Sequence, residues 1–458
     1  MSDTRTPASE QGWTSSSGFI IATIGSAIGV GSIWKFPYEV GANGGGAFVL
    51  LYVLGLALVV VPLMLAEFAV GRRGQADAAT SMEIVAAQES TSTRWGVFGL
   101  LGAVTSFLIL SFYAVVGGWT LTYAYDTLVH GLPSGADDVS RRFGTVLASP
   151  GRMATFQLLF LGLVAMVVIR GVRNGIESAM KVLMPLMALL LGALTVYSLR
   201  NGDAAAAFRF LFVPDFDDLT GRAVLDALGL GFFSIGVGLG ILLTYAAYSP
   251  PGTDLKTVAI ASVVADTVIS FVAGLAVFPV VFANDLDAGS GPGLVFETLP
   301  VAFGAMPAGR LVATAFFALL AVAALGSAIS MLEAVVAVLS RRLGWSRHRS
   351  VGVATSTCFV AGLATVFSFN DWSDVHPFGW MERYSEATIY DLLDDATSQL
   401  MLPAGGLAIA VFTGWVLSDR LLHDELRLTG LPLVGLRWTL RVVAPVTIAA
   451  AAAISLFG

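Results

Sequence analysis

Residues 18–46 read GFIIATIGSAIGVGSIWKFPYEVGANGGG. The stretch begins as a run able to cross a membrane and departs from that pattern in its middle. Gly25, Gly29 and Gly31 crowd together, Ser26 and Ser32 lie among them, and Lys35 and Pro37 follow before apolar character returns. Facing lipid, such a segment would leave backbone amides and carbonyls without partners, at several kcal/mol each. Irregular backbone at membrane depth persists only where protein or a polar cavity covers it. The stretch is therefore predicted to be a broken helix that lines a binding site.

Composition places the rest of the chain around it. Of 458 residues, 56% are hydrophobic and 12% charged, against about 25% charged in soluble domains. The mean hydropathy is +0.80. Apolar runs of about 20 residues, enough to span a bilayer, recur throughout. The expected class is an all-α polytopic membrane protein with lipid as its surroundings and no nucleic-acid partner. Eleven spans are predicted, near 18–41, 47–70, 97–129, 153–169, 177–199, 223–248, 257–283, 309–340, 350–368, 388–420 and 434–456.

The net charge of −7 sits mostly in loops and identifies no partner. Cys358 is the one cysteine, so no internal disulfide can form. His130, His348, His376 and His423 lie in loops or at helix ends and are not spaced as metal ligands. The first seventeen residues are polar, without a cleavable signal pattern. Short loops leave no room for a soluble catalytic or sensor domain, and the spans hold no nucleophile–base set. An enzyme is not expected. The outer loop near 369–387, with Trp372, His376, Phe378 and Trp380, reads as a packed cap or as an interfacial aromatic cluster.

Orientation follows from Lys and Arg in the loops. With the N-terminus in the cytoplasm, fifteen of these residues fall inside and eight outside, while Lys35 and Arg441 lie within spans. The bias predicts a cytoplasmic N-terminus. Eleven spans then put the C-terminus outside.

The sixth span echoes the first. Residues 28–31 read I-G-V-G, and so do residues 235–238. Two glycine-interrupted spans five helices apart suggest two repeats of five helices, and an odd number per repeat turns the copies into opposite orientations. Paired broken helices in inverted repeats mark the substrate and ion sites of secondary transporters. Gly25 and Gly29 also form a G-x-x-x-G pair, which reads as a packing contact when taken alone. The predicted organisation is a tail over 1–17, a first repeat over 18–199, a second over 223–420 and an eleventh helix over 434–456.

Half-helices that meet at mid-depth present opposite poles. Free amides near Val30 and Gly31 favour an anionic group, and free carbonyls near Phe233 and Ser234 favour a cation. A zwitterion such as a free amino acid suits both. Asp266, inside the seventh span, is costly there and needs a partner or a water-filled path. It reads as a Na+ ligand or as a hydrogen-bonded structural acid. Lys35 and Asp394 read as an outer gate pair or as ordinary interfacial charges.

These residues carry a resemblance. The chain resembles the neurotransmitter:sodium symporters, especially the bacterial eleven-span members, from about Trp13 to its end. The matching pieces are P-Y-x-x-x-x-N-G-G-G-A-F (37–48), P-L-M-L-A-E-F-A-V-G-R (62–72), G-G-W-T (117–120), G-I-E-S-A-M-K-V-L-M-P (175–185) and F-F-S-I-G-V-G-L-G (232–240). The resemblance implies a five-plus-five inverted repeat and Na+-coupled uptake of amino acids or amines. It places a substrate carboxylate against the amides of Val30 and Gly31, the Tyr113 hydroxyl and a first Na+, and the ammonium against carbonyls of Ala27, Phe233 and Ser234. Ile109, Phe233, Gly236, Leu239, Ser327 and Met331 would shape the side-chain pocket, with Tyr113 and Phe233 as a lid below Lys35 and Asp394. The first Na+ would be held by Ala27, Ser32, Ser234 and Asp266, and the second by Gly25, Ile28, Ala323 and Ser327.

Several positions depart from the family pattern. Ser26 and Ser32 stand where asparagines are usual. Gly326 stands where a hydroxyl or carboxylate helps bind the second Na+, which weakens that site. Leu230 and Ser270 occupy chloride-related positions, and Asp266 supplies a negative charge of its own, so no chloride requirement is expected. The less bulky Gly236 and Leu239 and the adaptable Met331 predict a neutral, apolar amino acid as substrate. A proton-driven transporter of the same architecture is the alternative, with a channel or membrane sensor behind it.

Overall fold

The computed structural model describes residues 12–133, 135–217, 219–288 and 293–457, and all regular elements among them are helical. Among the described residues nine helices are long and apolar enough to cross a membrane: Gly46–Gly74, Thr93–His130, Pro150–Val168, Val172–Asn201, Leu255–Ala283, Gly309–Arg342, Arg347–Ser368, Ile389–Val416 and Leu431–Ala453. The bent pair Ser16–Ala27 and Gly31–Ala42 makes the first span. Another interrupted pair, Gly221–Ile235 and Ile241–Ala247, stands sixth in order. Among the described residues the nine long helices, the bent first pair and this interrupted sixth pair form one helical bundle, with breaks in its first and sixth members.

The breaks have different local causes. Ser15 caps the first helix by accepting from Gly18 N–H at 3.1 Å. At Ile28 the backbone turns extended (φ −80°, ψ 103°), and the chain resumes as helix from Gly31, bent by 48°. The sixth span stops by left-handed turns: Gly236, Gly238 and Gly240 have φ of 77°, 83° and 70°. Side chains with a Cβ rarely adopt such angles, so the second I-G-V-G uses its glycines for backbone conformation. At Gly238 a Cβ would also lie 2.9 Å from the Leu402 carbonyl.

Burial separates inner from outer spans. The apolar window of the third span is 72% buried within the protein and that of the eighth 67%, against 28% for the fifth and the eleventh. The third and eighth spans pack against each other, and the first helix lies against the fifth, seventh and eighth. The broken helices are thereby enclosed by protein, as their bare peptide groups require.

Some expectations need correction. The tenth span ends at Val416, short of the predicted 420: Leu417 is extended, and Ser418 caps a separate helix, Asp419–Leu426. Short helices at Ala78–Gln88, Ala136–Leu147, Ala204–Phe212 and Leu294–Gly304 join spans where loops were expected. In the 369–387 loop Trp372, Phe378 and Trp380 are exposed, Trp380 by 79%, so of its two readings the packed cap falls.

Candidate functional site: a cavity between the two broken helices

One cavity lies where the breaks face each other. Its lining includes Ala27, Gly31, Ile109, Tyr113, Phe233, Ser234, Gly236, Leu239, Ser327 and Met331, together with Ser26, Gly29 and Ile241, which the sequence did not single out for the pocket. Val30 meets it through its backbone: its N–H donates to the Tyr113 hydroxyl at 3.4 Å. Three walls of different chemistry result. Peptide groups of the first helix form one, the Tyr113 hydroxyl another, and Ile109, Leu239 and Met331 an apolar third.

Asp266 lies behind Ser234 of the lining. Its side chain is fully buried. Oδ1 accepts from the Ser32 hydroxyl at 2.5 Å and the Ser234 hydroxyl at 2.7 Å, and the two serine oxygens lie 3.0 Å apart. Oδ2 accepts from the Tyr52 hydroxyl at 2.7 Å. A carboxylate and two hydroxyls drawn from the first, sixth and seventh spans form an oxygen cluster of the hard kind that suits a small cation. The Ser26 hydroxyl nearby is buried without a hydrogen-bond partner among the described residues.

The residues assigned to a second cation stand at the contact of the first and eighth spans. The Ser327 hydroxyl donates to the Ser26 carbonyl at 3.2 Å. A Cβ at Gly326 would fall 2.6 Å from the Gly25 carbonyl oxygen, so the two helices approach more closely than a side chain there allows. Lys35 and Asp394, expected as a gate pair, form no ion pair. The Lys35 ammonium lies 4.9 Å from the centre of the Phe233 ring, and Asp394 accepts from the Ser398 hydroxyl at 3.1 Å.

Tyr52, Glu67 and Ser106 are participants the sequence did not single out. Glu67 is fully buried, and its Oε1 accepts the Gly238 N–H at 2.7 Å, satisfying one amide freed by the sixth-span break. Ser106 does the same for a carbonyl, donating to that of Leu239 at 2.8 Å. Glu67 carried a legible signal, a carboxylate inside an apolar span; Tyr52 carried none.

Aromatic layers lie at both ends. At one end, Phe296 of the Leu294–Gly304 segment packs between Trp34 and Trp119, with ring centres 5.5 and 5.9 Å away. At the opposite end, the Trp13 indole N–H donates to the Tyr245 carbonyl at 2.8 Å, and the Thr14 amide donates to Glu177 at 2.8 Å. Buried Glu333 there pairs with Arg347 and accepts from the Tyr248 hydroxyl at 3.1 Å.

The chain is similar to known proteins over nearly its whole length. It is 37% identical over 417 residues to YhdH, an uncharacterized sodium-dependent transporter of Bacillus subtilis (strain 168), covering 91% of this chain and 90% of that one. An uncharacterized sodium-dependent transporter of Haemophilus influenzae is 30% identical over 422 residues, covering 89% and 90%. The crystal structure of MhsT in complex with L-phenylalanine superimposes with a TM-score of 0.89 at 38% identity, covering 98% of this chain and 100% of that one. Residues 10–142 and 138–456 match the family described as the sodium:neurotransmitter symporter family. With these matches and the paired broken helices around one cavity, the chain belongs to the sodium:neurotransmitter symporter family and is a sodium-dependent membrane transporter.

Proposed function

We propose that this transporter couples Na+ to the import of a neutral, apolar amino acid by alternating access. The observation that carries the reading is that Ser234, which lines the cavity with Gly31 and Tyr113, also belongs to the buried Asp266–Ser32–Ser234 oxygen cluster directly behind it. A cation held by Asp266 then sits next to a substrate carboxylate, and each lowers the electrostatic cost of the other. Their affinities are linked and reciprocal. The L-phenylalanine bound to MhsT supports an amino acid of this kind.

In this reading the carboxylate takes the Val30 and Gly31 amides and the Tyr113 hydroxyl, and the ammonium takes carbonyls of Ala27, Phe233 and Ser234. The first Na+ is held by Ala27, Ser32, Ser234 and Asp266. The second, between Gly25, Ile28, Ala323 and Ser327, is the weaker because Gly326 brings no oxygen. Phe233 and Tyr113 form the lid, and Lys35 pairs with Asp394 at another stage of the cycle. The halves run over 18–199 and 223–420 between the 1–17 tail and the 434–456 helix. The N-terminus lies in the cytoplasm and the C-terminus outside a bacterial-type inner membrane.

Binding of labelled neutral amino acids to the purified protein tests this directly. Replacing Na+ by choline at constant pH is expected to abolish binding, and retention of pH-driven uptake in choline would replace the sodium reading with a proton-driven one. A competition panel is expected to rank apolar amino acids first. A charged amino acid or an amine as the sole strong competitor would reject the substrate class.

Two further outcomes follow from the same geometry. Tyr113→Phe removes the hydroxyl that Val30 N–H donates to and that lines the cavity. A hydrogen bond to a charged group contributes about 1.5–3 kcal/mol, so amino-acid affinity is expected to fall roughly ten- to a hundredfold. Stabilisation by Na+ alone, read by thermal melting, should persist. Replacing chloride by gluconate is expected to leave uptake unchanged, since Asp266 brings a fixed negative charge; uptake that stops in gluconate would overturn that assignment.

A further inference from the structure

Leu431, Val434, Trp438, Val442 and Val446 recur at three- and four-residue spacing on the eleventh span, and all are exposed. That spacing is one helix face, and in a membrane it faces lipid. Arg441 is exposed beside this stripe, inside the same apolar window. A cation in that position needs an anionic or polar partner.

Its neighbour one turn earlier shows what a satisfied arginine looks like here. Arg437 is buried and spends its nitrogens on Asp419 and on the carbonyls of Thr413, Gly414 and Leu417, at 2.5–2.8 Å. Arg441 makes a single hydrogen bond among the described residues, from Nε to the Gly414 carbonyl at 2.6 Å. Its guanidinium lies 5.7 Å from the centre of the Trp415 ring, an exposed side chain. The terminal guanidinium nitrogens, the pair suited to a bidentate phosphate contact, remain unspent.

Depth fixes the kind of anion. Gly414 lies in the last turn of the tenth span, which ends at Val416, so the guanidinium sits at the end of that span and not at mid-depth. Trp415 and Trp438, both exposed, mark the same level, where tryptophans line membrane–water interfaces. Arg420, with its side chain 91% exposed on the adjoining Asp419–Leu426 helix, is paired with Asp424 at 4.0 Å and adds no unpaired charge at this end, so Arg441 alone carries the anion contact.

We propose that Arg441, stacked on Trp415, binds the phosphate of one anionic phospholipid in the cleft between the tenth and eleventh spans. The charge bias in the loops assigns this end to the cytoplasmic leaflet, but the site itself does not depend on that orientation or on the transported substrate.

The full-length protein, purified from a mixed bilayer of phosphatidylglycerol and phosphatidylcholine, is weighed by native mass spectrometry with its retained lipids. The wild type is expected to keep one phosphatidylglycerol in preference to phosphatidylcholine, with no displacement by millimolar inorganic phosphate. Arg441→Gln is expected to lower that retention about fivefold, the effect of one basic residue near an anionic surface, and Arg441→Lys to lower it less. The Na+-dependent melting shift is expected to stay intact in both variants. Equal retention of the two lipids by the wild type, an outcome that needs no variant, would overturn the proposal. So would displacement by inorganic phosphate, which would make the site one for free anions, or retention in Arg441→Gln equal to the wild type.

Discussion

Asp266→Asn is expected to weaken Na+ binding by about a hundredfold while leaving the protein folded. The carboxylate is fully buried and accepts from three hydroxyls: Ser32 and Ser234 on one oxygen and Tyr52 on the other. Asparagine has nearly the same shape. Its carbonyl oxygen continues to accept from the serines, and its amide donates to the Tyr52 oxygen, so the local hydrogen bonds are exchanged and not lost. The charge is lost. Leaving a buried ion without its counter-charge costs about 3–5 kcal/mol, and about 3 kcal/mol corresponds to roughly a hundredfold in affinity.

The measurement is a Na+ titration without amino acid, followed by thermal melting or intrinsic tryptophan fluorescence, and then repeated with saturating substrate. Linkage makes the second titration informative. If cation and carboxylate share one site, the variant also loses most of the substrate-induced increase in Na+ affinity. An Asp266→Asn protein with the wild-type Na+ midpoint would show that the cation is held elsewhere, and the coupling proposed above would fall with it.

Much of this site was legible because the residues that form it are out of place in a membrane span. Glycines clustered at 25–31 and 236–240, and a carboxylate at 266, conflict with the surrounding apolar runs, and a conflict of that kind commonly marks function. The structure brings Gly29, Gly31 and Gly236 to one cavity, with Asp266 hydrogen-bonded to Ser234 of its lining. What stayed hidden has physical reasons. Tyr52 is an unremarked tyrosine in an apolar run, and its partner lies 214 positions away. Glu67 broke the same rule as Asp266, but nothing in the sequence says that its partner is a main-chain amide at Gly238. Lys35 and Asp394 were paired by charge, whereas the ammonium rests over an aromatic ring. The linking helix Ala136–Leu147 is short and amphipathic, so its residues read as a polar loop between stronger signals.

The break in the sixth span gives the second large effect. Gly238→Ala is expected to destabilise the protein by about 3 kcal/mol, because two independent penalties coincide at that position. A φ of 83° is unfavourable for any residue with a Cβ, at about 1–3 kcal/mol. The added carbon would stand 2.9 Å from the Leu402 carbonyl oxygen and 3.1 Å from the Gly406 nitrogen. Both are backbone atoms of the tenth span, which cannot swing aside as a side chain would, and overpacking of this kind costs about 1–3 kcal/mol. The tenth span must shift, or the turn must open and pull Gly238 N–H from Glu67. Gly162→Ala is the control: nothing lies within 4 Å of its Cβ position in the middle of the fourth span. Alanine there is favoured over glycine by up to about 1 kcal/mol. Melting of the purified protein should drop by roughly 5 °C or more for Gly238→Ala and hold or rise for Gly162→Ala. Glu67 separates backbone shape from hydrogen bonding. Glu67→Gln keeps an acceptor for the amide, whereas Glu67→Leu leaves it buried and unpaired at about 1–3 kcal/mol. Gln should therefore retain Na+-dependent binding and Leu should lose most of it. A Gly238→Ala protein that melts and binds like the wild type would mean that the left-handed turn is incidental to the cavity, and the peptide groups exposed by the sixth helix would no longer account for how the site is built.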